Sequence, residues 1–206
     1  MQTPSRFVLV LIAITVAWVA GCGGSKARIG KLERGATVLA FGDSLTFGTG
    51  AGAGESYPAV LARSTGLNVV NAGVPGETSG EGLARLPAVL EETHPALVIL
   101  CHGGNDFLRK MGDAGVATHV RAMIGLAKAK GIPVVLLATP KPGIPPSVPA
   151  LYAEIAASEA ISFEEAAMRE VLFDSSLKSD LMHPNDRGYA RIAAAIEKLL
   201  RNSGAL

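Results

Sequence analysis

Four short blocks of this chain carry side chains that could together move an acyl group. Gly42-Asp43-Ser44-Leu45-Thr46 offers a hydroxyl, and Asp180-Leu181-Met182-His183-Pro184 offers a base with an acid three residues before it. Between them lie Asn71-Ala72-Gly73-Val74-Pro75-Gly76-Glu77-Thr78 and Gly103-Gly104-Asn105-Asp106. A serine hydroxyl is a poor nucleophile unless a neighbouring base takes its proton. His183 is the candidate base for Ser44. Asp180 can reach around a short turn to the other ring nitrogen, fix the tautomer and stabilise the imidazolium.

These blocks must be held by elements, and the apolar pattern supplies them. Short apolar runs at Thr37–Phe41, Asn68–Asn71, Ala96–Cys101 and Pro133–Ala138 read as strands. Helical patterns fill Glu55–Gly66, Ser79–Thr93, 112/113–130, 149–160, 163–171 and about 185–202, with a proline-rich loop at Lys141–Pro149. Strands alternating with helices of this length predict βαβ units and a parallel sheet. Wholly apolar strands predict a sheet covered on both faces, with the third strand central. In such sheets the site lies at the carboxyl ends of the strands. The first three blocks each directly follow a strand.

In their order and approximate spacing, the four blocks resemble the SGNH, or GDSL, hydrolases. Gly-Asp-Ser-Leu alone is a weak match. Gly-Gly-Asn-Asp at a strand end and Asp-x-x-His-Pro near the C-terminus make it specific, and together they span residues 42–184. The text from Val70 through Gly76-Glu77-Thr78-Ser79 to Gly82-Leu83-Ala84-Arg85-Leu86-Pro87 is similar to the branch of bacterial envelope enzymes that are acyl-CoA thioesterases, lysophospholipases and arylesterases at once. The resemblance implies a three-layer α/β/α sandwich of flavodoxin-like topology with a central, mostly parallel sheet. It also implies an oxyanion hole built from the backbone N–H of Ser44, the backbone N–H of Gly76 and the side-chain amide of Asn105. Each such donor is worth on the order of 3 kcal/mol. Gly73 competes with Gly76, which the Gly-Glu-Thr-Ser segment favours. No metal or cofactor is implied.

Other residues get plainer readings. Asp43 is expected to hold its turn through backbone hydrogen bonds, and Asp106 is expected to be structural. His94 and His119 read as surface residues. His102 lies just before Gly103 and reads as a modulator of the pocket, with a direct catalytic part as the alternative. Cys101 reads as a buried small hydrophobe and not as a nucleophile. Gly48-Thr49-Gly50-Ala51-Gly52-Ala53-Gly54 loosely fits a dinucleotide fingerprint but does not abut the strand. It reads as a flexible rim of the acyl pocket.

With 206 residues, 49% of them apolar, the chain has the size and composition of one globular domain. A net charge of +1 gives no field to attract nucleic acid. The N-terminus differs. Arg6 is the only charge in the first 25 residues, and Phe7–Val19 is apolar apart from Thr15. That is short for a bilayer span and fits a signal-peptide core. It closes on Val19-Ala20-Gly21-Cys22, which resembles a bacterial lipobox, with an ordinary secretory signal or a short membrane anchor as alternatives. The expected organisation is a signal peptide over 1–21, a tether over 22–36 lipidated at Cys22, and the hydrolase domain over 37–206. By resemblance to enterobacterial lipoproteins, Gly24 in place of an Asp gives no inner-membrane retention signal, so the expected location is the bacterial cell envelope, on the periplasmic side of the outer membrane. The expectation is a monomeric serine esterase for carboxylic esters or thioesters. The alternatives are an acetylesterase of polysaccharides and a non-catalytic acyl- or glycan-binding lipoprotein.

Overall fold

Five segments reach strand length and all pair in parallel. In the computed structural model, which describes residues 28–206, these are β1 (Thr37–Gly42), β2 (Asn68–Gly73), β3 (Leu97–Cys101), β4 (Val134–Leu137) and β5 (Ser162–Glu164). Their order is β2-β1-β3-β4-β5, so β3 is central as its sequence suggests. Gly42 stands level with Gly73 and with Cys101, which brings the ends of β1, β2 and β3 to one line. The order reverses between β1 and β3, and an open parallel sheet has its crevice at such a reversal.

The helices are α1 (Ser44–Phe47), α2 (Tyr57–Thr65), α3 (Ser79–Thr93), α4 (Gly104–Leu108), α5 (Asp113–Ala129), α6 (Leu151–Glu159), α7 (Ala167–Phe173) and α8 (Asp186–Ser203). Alternation along the strands splits the core in two. Val38, Ala40, Leu97, Ile99, Val135 and Leu137 point to a layer containing Leu61, Val171, Ile192 and Ile196 of α2, α7 and α8. Leu39, Phe41, Val98, Leu100, Val134 and Leu136 point to Leu86, Val120, Ile124 and Ile155 of α3, α5 and α6. Side chains of successive strand residues project to opposite faces, so both faces need cover. Each buried aliphatic side chain contributes about 1.5–3 kcal/mol.

Two expectations change. The helix expected over 163–171 is present but starts later, as α7 at Ala167, and the residues before it form a short edge strand, β5. The Glu164 carboxylate accepts hydrogen bonds from the N–H groups of Ala166 and Ala167 and so opens α7. Part of the expected tether is docked on the domain. Ile29 is buried, its N–H donates to the Ser203 carbonyl, and the Leu32 N–H donates to that of Ala205. The signal segment and Cys22 lie outside the described residues.

Candidate active site

Residues from opposite ends of the chain meet above β1 and β3. Ser44 opens α1, where its backbone N–H has no intrahelical acceptor. Before it, the buried Asp43 accepts the Leu45 N–H at 3.0 Å and so holds the turn. Burial pushes the Asp43 carboxyl above its ordinary range. The Ser44 hydroxyl lies 3.1 Å from Nε2 of His183. Nδ1 of that ring lies 2.9 Å from Asp180 Oδ2. A carboxylate can only accept, so Nδ1 carries the hydrogen and Nε2 is left to receive the serine proton. Asp180 also accepts the N–H groups of Met182 and His183 at 2.7 and 2.9 Å. Partial burial raises its carboxyl, but the bonds from the His183 ring and these two N–H groups outweigh that and hold it below the usual range.

The segment carrying His183 is fastened from both sides. The Ser179 N–H donates to the His183 carbonyl, and Asn185 caps α8 by accepting the Gly188 N–H. From the other side comes the glycine-rich stretch expected to be a flexible rim. It is pinned instead: Gly52 N–H donates to Asp186, and the Tyr189 hydroxyl donates to the Thr49 carbonyl. Gly50 has a φ of +94° and lies so close that a Cβ there would fall 2.7 Å from the Pro184 carbonyl oxygen.

Ser44 opens into a cleft of about 250 Å³. Gly76 and Asn105 form part of its wall, and Leu45, Pro75, Leu108, Pro140, Leu172 and Met182 give it an apolar surface. Gly76 is thus placed at the cleft. Gly73 is not, and its N–H is taken by Asn71. The Asn105 amide donates to the Glu77 carbonyl at 3.0 Å and reaches Asp43 at 3.3 Å. An apolar groove of about 270 Å³ adjoins the cleft and shares Pro140, Leu172 and Met182 with it. Among the described residues, no group of three His, Cys, Asp or Glu side chains could hold a metal ion.

Two buried carboxylates stand behind this wall. Asp106 accepts the Ser79 N–H and hydroxyl at 2.8 and 2.7 Å, tying α4 to the start of α3. His119, expected on the surface, is half-buried and lies 2.9 Å from the Ser79 hydroxyl. That hydroxyl spends its proton on Asp106, so His119 is the donor. Glu77 is held by Arg85 through two bonds of 2.7 Å. His102 is fully buried beside Glu77 and lines no part of the cleft, which removes it as a direct participant. Cys101 is also fully buried, and burial pushes its thiol up to about 12.

The model of the GDSL-like lipase/acylhydrolase family matches residues 40–191. The chain belongs to this family. Within it, the chain is 31% identical to the thioesterase 1/protease 1/lysophospholipase L1 of Escherichia coli over 173 residues, 80% of this chain and 83% of that protein. It is 41% identical to the esterase TesA of Pseudomonas aeruginosa over 106 residues, which is 49% of this chain. It is 35% identical to the arylesterase of Vibrio mimicus over 105 residues, 48% of this chain. These last two matches span about half the length of each relative, 53% and 52%. A crystal structure of TesA superposes with a TM-score of 0.72 at 29% identity, covering 81% of this chain and 99% of that one.

The family motifs point directly at Ser44, Asp180, His183, Gly76 and Asn105. They do not point at Glu77, Arg85 or His119 as a framework behind the wall. Glu77 and Arg85 stand eight residues apart, on a loop and on α3, so helical spacing gives no hint of their pairing. The signal that was present is a histidine in an otherwise apolar strand end.

Proposed function

We propose that this chain is a serine ester hydrolase that works through an acyl-enzyme on Ser44. The observation that carries the reading is the Asp180–His183–Ser44 relay opening into a cleft walled by Gly76 and Asn105. Ser44 passes its proton to Nε2 of His183 as its oxygen attacks the carbonyl carbon of an ester or thioester. The negative charge forming on the carbonyl oxygen meets the N–H groups of Ser44 and Gly76 and the Asn105 amide. With one amide hydrogen given to the Glu77 carbonyl at 3.0 Å, the other, held by Asp43 only at 3.3 Å, is the one available to the oxyanion. The His183 imidazolium then protonates the leaving alkoxide or thiolate. Water repeats the sequence with His183 as base and releases the carboxylic acid.

The relatives' names suggest aryl esters, acyl thioesters and lysophospholipids as substrate classes. The apolar cleft and its adjoining groove suit acyl chains better than sugars. For the N-terminus we propose a signal peptide over residues 1–21 and lipidation of Cys22, holding the enzyme in a bacterial envelope. The apolar run and Val19-Ala20-Gly21-Cys22 support this. Replacing Cys22 by Ser would then abolish labelling by radioactive palmitate.

The Ser44→Ala chain assayed on p-nitrophenyl acyl esters tests the mechanism, and undiminished turnover would sink it. A fluorophosphonate should label Ser44 in the wild-type chain, whereas a protein that merely binds acyl groups would stay unlabelled. Acetyl to palmitoyl esters, with lysophospholipid and acetylated xylan, would rank the substrates.

A further inference from the structure

The two wall donors sit on different elements. Gly76 lies on the β2–α3 connection and Asn105 lies on α4, and their relative position must hold to a fraction of an ångström for both to meet one oxygen. One residue links them. Glu77 directly follows Gly76, and its backbone carbonyl accepts the Asn105 amide at 3.0 Å. Whatever fixes Glu77 therefore fixes both donors.

Its carboxylate is the fixing point. Arg85 on α3 approaches it edge-on, with Nε 2.7 Å from Oε1 and Nη2 2.7 Å from Oε2. The same Nη2 donates to the Ala72 carbonyl at the end of β2. The guanidinium lies 4.2 Å above the centroid of the Phe41 ring at the end of β1. On the other side His102, at the end of β3, brings Nε2 to 3.3 Å from Oε2 without the alignment of a hydrogen bond. Gly82 of α3 makes room for that ring, since a Cβ there would fall 2.6 Å from Nε2. One carboxylate thus gathers the ends of three strands and one helix. A two-bond Arg–carboxylate pair fixes direction as well as distance. Desolvation of the Glu77 carboxyl opposes ionisation, but the Arg85 bonds and then His102 outweigh it, lowering the carboxyl to about 2.

We infer that Glu77 and Arg85 are positioning residues for the oxyanion hole, a clamp that holds the Gly76 N–H and the Asn105 amide at one spacing. The inference rests on the serine hydrolase reading above. Neither side chain is part of the Ser44–His183–Asp180 relay. Loosening the clamp should therefore weaken binding of the charge that develops in the transition state. Ground-state binding in the apolar cleft should change little. The loss belongs in kcat and not in KM.

The test compares the full-length wild-type chain with Glu77→Gln, Glu77→Ala, Arg85→Ala and Ser44→Ala on one short p-nitrophenyl ester. Their thermal unfolding is recorded alongside. Arg85→Ala and Glu77→Ala should lose about tenfold or more in kcat with KM within about twofold, and Glu77→Gln should fall between them and the wild type. Glu77→Gln keeps the shape and part of the hydrogen bonding, so it serves where Glu77→Ala does not fold. Arg85 is partly exposed, so millimolar methylguanidinium should restore kcat to Arg85→Ala and not to Glu77→Ala. The clamp is refuted if kcat stays at the wild-type level in the folded variants, if KM takes the loss, or if methylguanidinium restores nothing. Ser44→Ala separates the two ideas. Turnover in that variant overturns the serine mechanism, while a dead Ser44→Ala beside a fully active Arg85→Ala overturns the clamp alone.

Discussion

Replacing Gly50 by alanine should disable the enzyme although Gly50 touches no substrate. Its φ of +94° is a backbone conformation that costs a Cβ-bearing residue about 1–2 kcal/mol. The new methyl would fall 2.1 Å from the Ser179 hydroxyl, 2.7 Å from the Pro184 carbonyl oxygen and 3.2 Å from the His183 Cβ. The hydroxyl can rotate away, but the carbonyl is backbone and must retreat by roughly 0.7 Å to reach ordinary contact. His183 precedes Pro184 and would be carried along. A shift of that size takes the 3.1 Å Ser44–His183 bond out of hydrogen-bonding range. Misplacement of about 1 Å at a reacting centre costs about 10²-fold in rate. Steady-state hydrolysis of a p-nitrophenyl ester should therefore show kcat down about 10²-fold with a smaller change in KM. Adding Ser179→Ala relieves the hydroxyl contact and not the carbonyl contact, so the double variant should stay slow. If Gly50→Ala keeps kcat within about threefold of wild type, the close approach of Gly50 is not what places His183.

Three further outcomes are expected. Asp180→Asn keeps a hydrogen-bonding side chain but favours the wrong His183 tautomer, so kcat should drop by at least about 10²-fold, read from the same assay. The Glu77 carboxyl is lowered from 4.5 unfolded to about 2 folded, so its stabilisation is present above about pH 4.5 and lost as pH falls toward 2. That gap corresponds to on the order of 3 kcal/mol, so Tm should fall across this range and Glu77→Gln should flatten the fall. Cys101, fully buried with its thiol pushed up to about 12, should resist iodoacetamide at pH 8 until the chain unfolds, as read by mass spectrometry.

Much of the fold lay in the apolar pattern because β1, β3 and β4 are buried on both faces, and uninterrupted apolar runs record that directly. β5 escaped notice because it is three residues at a sheet edge with Ser162 and Glu164 among them, too short and polar to stand out against α7. The helices α1 and α4 span four and five residues, less than is needed for a periodic pattern. Ser44, Asn105, Asp180 and His183 were legible, though Ser44 and His183 stand 139 residues apart, because each lies in a short block that matches a family motif at a strand end or turn. His119 was misread because its partner, Ser79, is 40 residues away. The Gly48–Gly54 stretch was misread as mobile because glycine allows flexibility and close approach alike, and only the position of Pro184 decides between them.

The docked segment at residues 29–32 fixes the end of the domain from which the preceding chain departs. It meets the far end of α8, at Ser203 and Ala205, while the near end of that helix begins three residues after His183. Eighteen helical residues put about 27 Å between the two ends. Whatever is joined to the chain before residue 28 is thus attached at the foot of the sheet, with the mouth of the cleft at its crown. Were Cys22 lipidated as proposed, the domain would be tethered at that foot and its cleft would open on the side away from the tether.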